Sequence, residues 1–343
     1  MNLISKISIF CVMIAGWTAT ADAAPLQYKS GKTSLRLSGY GTVGLIEPDF
    51  EEPLFIGDWR VRAQANYDVK DGHTFGVVYA LDAQTVDTDD YVDELFALWQ
   101  SRRFGRIEVG ITDSIAGKLA LGLPDVGGLR INDNPIFYKK IRPHGTIITD
   151  AAVDTDATAL RVNLATAQIR GVQYGLSVAG LTDEYDFTID AGLKIRRPSG
   201  KVKTAYSLGA SFMNRPDNFA PDSYSVHVTA DWRAQFAAAM NLQYNSWVWG
   251  LNGRVIYDQD PVSPRSDGLV VGTGVSYDFM KYSLSLTYMF SDTGIWDGDT
   301  DDYTDHSVVA SFRYKYSQNV DGWISIGMTT ETPFLSAGMR LTF

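Results

Sequence analysis

Along most of this chain, apolar and polar residues alternate with a period of two, in runs too long for an ordinary soluble sheet. The clearest run is 59–69. Trp59, Val61, Ala63, Ala65, Tyr67 and Val69 make one face, and Arg60, Arg62, Gln64, Asn66 and Asp68 make the other. Leu35, Leu37, Val43 and Leu45 alternate with Arg36, Ser38, Tyr40 and Thr42. Further runs cover 160–164, 189–196, 282–290 and 308–316. Strands of soluble sheets average ~5–6 residues. These reach about ten or more, which is what a tilted strand needs to cross a bilayer.

Aromatic residues gather toward the ends of these runs: Trp59 and Tyr67, Trp247 and Tyr257, Tyr282 and Tyr288, Phe334 and Phe343. That is the distribution of girdles at two membrane interfaces. An open sheet edge is not viable in lipid, so the strands must close on themselves. The expected fold is all-β, a transmembrane antiparallel β-barrel.

Connections alternate in length. Short turns fall at 70–72, 102–105, 169–171, 198–200 and 319–322, and long polar loops at 46–55, 85–91, 113–154, 215–222, 259–267 and 292–305. Short periplasmic turns and long outer loops are the pattern of a bacterial outer-membrane barrel. The segments tally to about seventeen, whereas single-chain bacterial barrels keep even numbers. The unsettled stretch is 222–258, where no clear turn separates Phe236 from Tyr257. About sixteen strands fits best, with about eighteen as the alternative.

The amino terminus reads as a cleaved export signal. Lys6 supplies a positive start, Ile7 to Trp17 an apolar core, and Ala21-Asp22-Ala23 a small-residue cleavage site. Cleavage after Ala23 leaves 24–343 as a single domain. Beyond the signal, no apolar run approaches the ~20 residues of a spanning helix. The one cysteine, Cys11, lies inside the signal, so no internal disulfide forms. With 30 basic and 40 acidic residues the net charge is −10, which argues against nucleic acid as a partner.

Three local stretches resemble Gram-negative general porins of the alphaproteobacterial kind. They are Ser38-Gly39-Tyr40-Gly41, then Phe104 to Gly110 followed by Thr112-Asp113-Ser114, and the carboxyl end Leu335 to Phe343. The terminal Phe343, with apolar residues two and four positions before it, is similar to the signal read by the outer-membrane barrel-assembly machinery. The resemblance implies a homotrimer of water-filled barrels. It also implies that the third loop, 113–154, folds into each lumen and constricts it. Loop carboxylates then face a wall of arginines, and the candidates are Asp113, Asp125 and Asp133. The loop departs from a purely acidic pattern, because it also carries Lys118, Arg130, Lys139, Lys140 and Arg142.

The wall candidates follow from the alternation itself. Arg36, Arg60, Arg62 and Arg161 sit on polar faces, and facing lipid each would cost ~2–4 kcal/mol at the midplane. Opposed charges across a narrow aqueous gap order water, which hinders apolar solutes and passes small polar ones. The expected function is therefore passive diffusion of small hydrophilic solutes and ions. The alternative is a channel selective for sugars or anions, with Tyr40 and Phe137 to Lys140 as its track.

Acidic residues concentrate in the loops, at 82–94 and 292–305. No cofactor is expected, but Asp297, Asp299 and Asp301 are weak candidates for loosely held Ca²⁺ or Mg²⁺ that would bridge to lipopolysaccharide phosphates. The spacing lacks an EF-hand's glycine at position six and its terminal glutamate. Enzyme chemistry has little support. His73, His144, His227 and His306 have no partner histidine at metal-ligand spacing, and there is no G-x-S-x-G elbow.

Overall fold

The computed structural model describes residues 26–48, 53–84, 92–127, 160–180, 187–214, 232–259, 268–292, 304–329 and 332–343. The segment expected to be the export signal, Asp133, Asp297, Asp299 and Asp301 lie outside the described residues. The chain forms one 17-stranded sheet. Its first half holds β1 (Leu26–Ser30), β2 (Thr33–Pro48), β3 (Leu54–Asp68), β4 (His73–Gln84), β5 (Val92–Ser101), β6 (Gly105–Ile111), β7 (Arg161–Ala165) and β8 (Val172–Gly180). Its second half holds β9 (Phe187–Ser199), β10 (Val202–Asn214), β11 (Trp232–Tyr244), β12 (Trp247–Gln259), β13 (Gly268–Phe279), β14 (Tyr282–Asp292), β15 (Thr304–Lys315), β16 (Val320–Thr329) and β17 (Pro333–Thr342).

Every strand from β2 onward pairs antiparallel with the next. β17 returns to β2 through Phe334↔Pro48 to Thr342↔Tyr40, closing a 16-stranded barrel. The seventeenth segment, β1, adds to β2 below the end of β17, from Leu26↔Leu37 to Ser30↔Thr33. Gly39 and Phe343 exchange backbone hydrogen bonds of 2.8 and 2.9 Å where β17 stops. The barrel is the sixteen-stranded one expected, and the extra segment is β1 at the amino-terminal end rather than in the unsettled stretch 222–258.

The pleat sorts side chains as the alternation requires. Trp59, Val61, Leu284, Leu286 and Ile326 are exposed on the outer face, where lipid replaces water. Arg60, Arg62, Gln64 and Asn66 point into the lumen. The stretch that lacked a visible turn contains a hairpin, because Tyr244↔Trp247 closes β11 on β12 around Asn245 and Ser246. Asn245 takes φ 52, a left-handed conformation that asparagine tolerates better than most residues. The turn expected at 319–322 sits slightly earlier, since Val320–Gly322 already belong to β16.

The lumen is not uniformly polar. Ile46, Val270, Met289, Val309, Trp323 and Phe334 pack with Leu123 into a buried apolar cluster inside the barrel. Val78, Phe96 and Leu98 form a second on the inner faces of β4 and β5. Both are supported by the wall on one side and narrow the aqueous cross-section.

Candidate pore constriction

After β6 the chain turns inward. Ser114 caps a short helix, α1 (Ile115–Leu119), by accepting from the Gly117 amide at 3.0 Å. From there to Gly127 the segment lies along the inner wall as a strap. Its backbone polar groups find side-chain partners on successive strands. The Ile115 amide donates to Ser177 Oγ on β8 at 3.3 Å, the Leu121 amide to Ser207 Oγ on β10 at 3.1 Å, and the Val126 amide to Ser285 Oγ on β14 at 3.0 Å. Lys194 Nζ donates to the Ala120 carbonyl at 3.2 Å, and Asn241 Nδ2 to the Gly122 carbonyl at 3.1 Å. A buried segment without secondary structure must satisfy its backbone in this way.

The wall beneath the strap is made of small residues. A Cβ on Gly175 would lie 2.4 Å from Ile115 Cγ1, on Gly192 2.8 Å from the Ile115 carbonyl oxygen, and on Gly250 2.4 Å from Pro124 Cδ. Side chains there would lift the strap into the lumen. The strap's hydrogen bonds to Ser177, Ser207 and Ser285, to Lys194 and to Asn241 all reach strands from β8 to β14, around the barrel from β2–β4.

On β3, Arg60 and Arg62 sit near mid-strand. Arg60 is ion-paired to Asp93 and lies 3.4 Å from Glu94, and Arg62 Nη1 lies 3.1 Å from Glu94. The two arginines thus meet acids on β5 of the wall itself. Asp113, at the start of the strap, is exposed and close enough to act on Arg60 electrostatically. Arg36 lies exposed on the lumen side of β2, nearer the short turns. Tyr40 donates its hydroxyl to Asp58 at 3.2 Å.

Two expected pore residues are placed differently. Asp125 accepts from Ser285 Oγ at 2.9 Å and from the Gly127 amide at 3.0 Å, so its carboxylate fastens the strap to β14. Arg161 is fully buried in a 2.5 Å ion pair with Asp190, whose same oxygen also accepts from Ser177 Oγ at 2.9 Å. It has no surface for a solute to meet.

The sequence reading missed the knot at the root of the strap. Lys118 Nζ reaches Glu108 at 2.6 Å and Glu94 at 3.5 Å, donates to Thr112, and stands 4.7 Å over the Phe96 ring. Glu108 is also held by Arg106 at 2.6 Å and by Asn163 Nδ2 at 2.9 Å. The sequence reading places Glu94 in the acidic loop cluster at 82–94, whereas Asp82 lies in β4 and Asp93 and Glu94 in β5. The convergence of Glu94 and Glu108 on a loop lysine depends on strand register.

A closed barrel, lipid-facing apolar residues and a strap folded across a charged lumen form the architecture of a pore. The sequence matches Gram-negative porins over residues 11–332. The chain belongs to the Gram-negative porin family. It is an integral outer-membrane porin that carries small hydrophilic solutes and ions by passive diffusion. No curated protein matches its sequence. Its fold is similar to OmpT of Vibrio cholerae in trimer form, at 12% identity and TM-score 0.69, covering 91% of this porin and 100% of that chain. It is also similar to an anion-selective porin from Comamonas acidovorans, at 11% identity and TM-score 0.61, covering 91% and 100%. A mutant Rh. blastica porin matches at 14% identity and TM-score 0.56, covering 90% and 100%.

Proposed function

We propose that solutes pass between the strap and the β2–β4 wall, with Arg36, Arg60 and Arg62 on one bank and Asp113 on the other. The observation that carries this reading is the anchoring of the strap to Ser177, Ser207 and Ser285, on strands that lie around the barrel from β2–β4. At the narrow level, Arg60, Arg62, Arg106 and Lys118 face Asp82, Asp93, Glu94, Glu108 and Asp113, so opposite charges nearly cancel. Such a passage favours polar solutes over apolar ones and discriminates weakly between ions.

The protein acts as a homotrimer, the form in which the Vibrio cholerae relative is described. It is inserted through its Phe343 strand by the barrel-assembly machinery, and its acidic outer loops meet lipopolysaccharide through divalent ions. It is a channel without enzyme chemistry. His73 stacks on Trp99 at 5.5 Å, and His306 shares a 2.7 Å hydrogen bond with Tyr288, so the described histidines hold structural places.

Single-channel recording in a planar bilayer under a salt gradient tests this reading. Current steps grouped in threes with a small reversal potential are expected, and a folded barrel that passes no current would overturn it. A second reading, anion selectivity as in the Comamonas acidovorans relative, draws on the exposed Arg36 and the half-exposed Arg60 and Arg62. A large reversal potential of anion sign would favour it.

A further inference from the structure

The outer face of β9–β13 carries an apolar groove of about 490 Å³ that the pore does not use. Register shows how it arises. Leu193, Leu208, Ala238, Gly253 and Val271 lie on one row across the strands, and Ile195, Tyr206, Met240 and Leu251 on the next row toward the short turns. Ala238 and Gly253 set a low floor between taller neighbours, so the bilayer-facing surface is concave there.

The groove leads toward a concentration of positive charge. Arg197 shares the outer face with Ile195, two residues and ~7 Å further along β9. Beside it on the short-turn rim are Arg170 and Lys201, both exposed and without an ion pair among the described residues, while Arg196 and Lys203, also exposed, take the opposite face of the pleat. No acidic residue occurs in 160–180 or 191–214, although the whole chain carries −10. A basic rim in an acidic protein, next to an apolar trough, matches an amphipathic anion.

We infer that this surface binds an anionic glycerophospholipid of the periplasmic leaflet. One acyl chain lies in the Ala238–Gly253 trough and the phosphate lies among Arg197, Lys201 and Arg170. The assignment to that leaflet rests on the porin orientation, in which short turns face the periplasm. Lipopolysaccharide belongs to the opposite leaflet and would meet the long-loop end. Basic groups near a membrane surface strengthen binding of anionic lipid about fivefold each.

The test uses the purified, folded protein in detergent, with native mass spectrometry after adding equal phosphatidylglycerol and phosphatidylethanolamine of identical chains. Retention of phosphatidylglycerol at least about fivefold above phosphatidylethanolamine is expected. Arg197→Glu with Lys201→Glu should bring the two to parity. Gly253→Leu should cut retention of both by filling the trough. A Cβ at Gly253 meets Val270 O at 3.5 Å, an ordinary contact, so this variant keeps the fold if the charge reversal does not. Equal retention of the two lipids by the unaltered protein overturns the inference. So does a preference that survives both variants, or one shown equally by purified lipopolysaccharide. Unchanged conductance in the variants separates failure of this site from failure of the pore reading.

Discussion

Lys118 turns back to bind Glu108, ten residues before it, at 2.6 Å, and so ties the first turn of the strap to the wall it has just left. The same ammonium group reaches Glu94, which is 1% exposed. Both carboxylates keep other partners when the lysine is gone: Arg60 and Arg62 for Glu94, Arg106 and Asn163 for Glu108. Lys118→Met should therefore fold. It weakens the attachment by about 1–3 kcal/mol, the usual effect of leaving buried polar groups short of a partner. Single-channel records should show a larger and noisier open state. Traces indistinguishable from the unaltered protein would mean that the remaining hydrogen bonds alone hold the strap.

The Arg161–Asp190 pair should matter to stability and not to permeation. Both side chains are fully buried, and removing one charge leaves the other uncompensated. Asp190→Ala should cost about 3–5 kcal/mol. The double variant Arg161→Met with Asp190→Leu should recover much of that loss, because an apolar pair replaces the ionic one. Denaturant midpoints, followed by the heat-modifiable mobility of the folded barrel, report both. Equal losses in the single and double variants would show that the cost lies in packing.

Arg60 and Val61 are neighbours on opposite faces of β3. Cys11, the only cysteine, lies in the segment expected to be cleaved as an export signal, and a Cys11→Ala background gives introduced thiols no competitor in either case. Arg60→Cys should react with a charged, membrane-impermeant thiol reagent and lose conductance as it does. Val61→Cys should stay unlabelled in lipid. The reverse pattern would falsify the register assigned here.

Much of this architecture is legible from residue order, because a strand with lipid on one side and water on the other must alternate. The hairpin between β11 and β12 was not, since it turns on Asn245 and Ser246 without a glycine or proline to mark it. The inward apolar residues Phe96, Leu98, Trp323 and Phe334 also break the alternation rule. They pack against other wall residues and the strap, which no single strand reveals. At the constriction, arginine positions could be read from one strand. Their pairing with Glu94 could not, because it follows from the Arg62↔Ala80↔Glu94 register.

Charge at the narrow level should respond to single substitutions. Arg60→Glu removes one positive and adds one negative group beside Asp93 and Glu94, so the bank becomes strongly acidic. The reversal potential under a salt gradient should move toward cation selectivity, with the largest effect at low salt because screening shortens at high ionic strength. The double variant Arg161→Met with Asp190→Leu, altered at a site closed to the lumen and leaving no unpaired charge, serves as the comparison and should leave the potential unchanged. Equal shifts in the two variants would place the field elsewhere in the lumen.

The bed of small residues under the strap gives a steric test that leaves charge untouched. At Gly250 an added Cβ meets Pro124 Cδ at 2.4 Å, while at Gly253, facing outward three residues later, it meets only ordinary contacts. Gly250→Val should push the strap off the wall and into the passage, lowering conductance. Overpacking of this kind costs about 1–3 kcal/mol when the neighbours cannot yield, so the barrel should still close. Gly253→Val adds the same atoms to the same strand on the lipid side and should leave conductance as it was. Because β12 is common to both, a fall in current confined to Gly250→Val isolates the position of the strap as what sets the width of the pore.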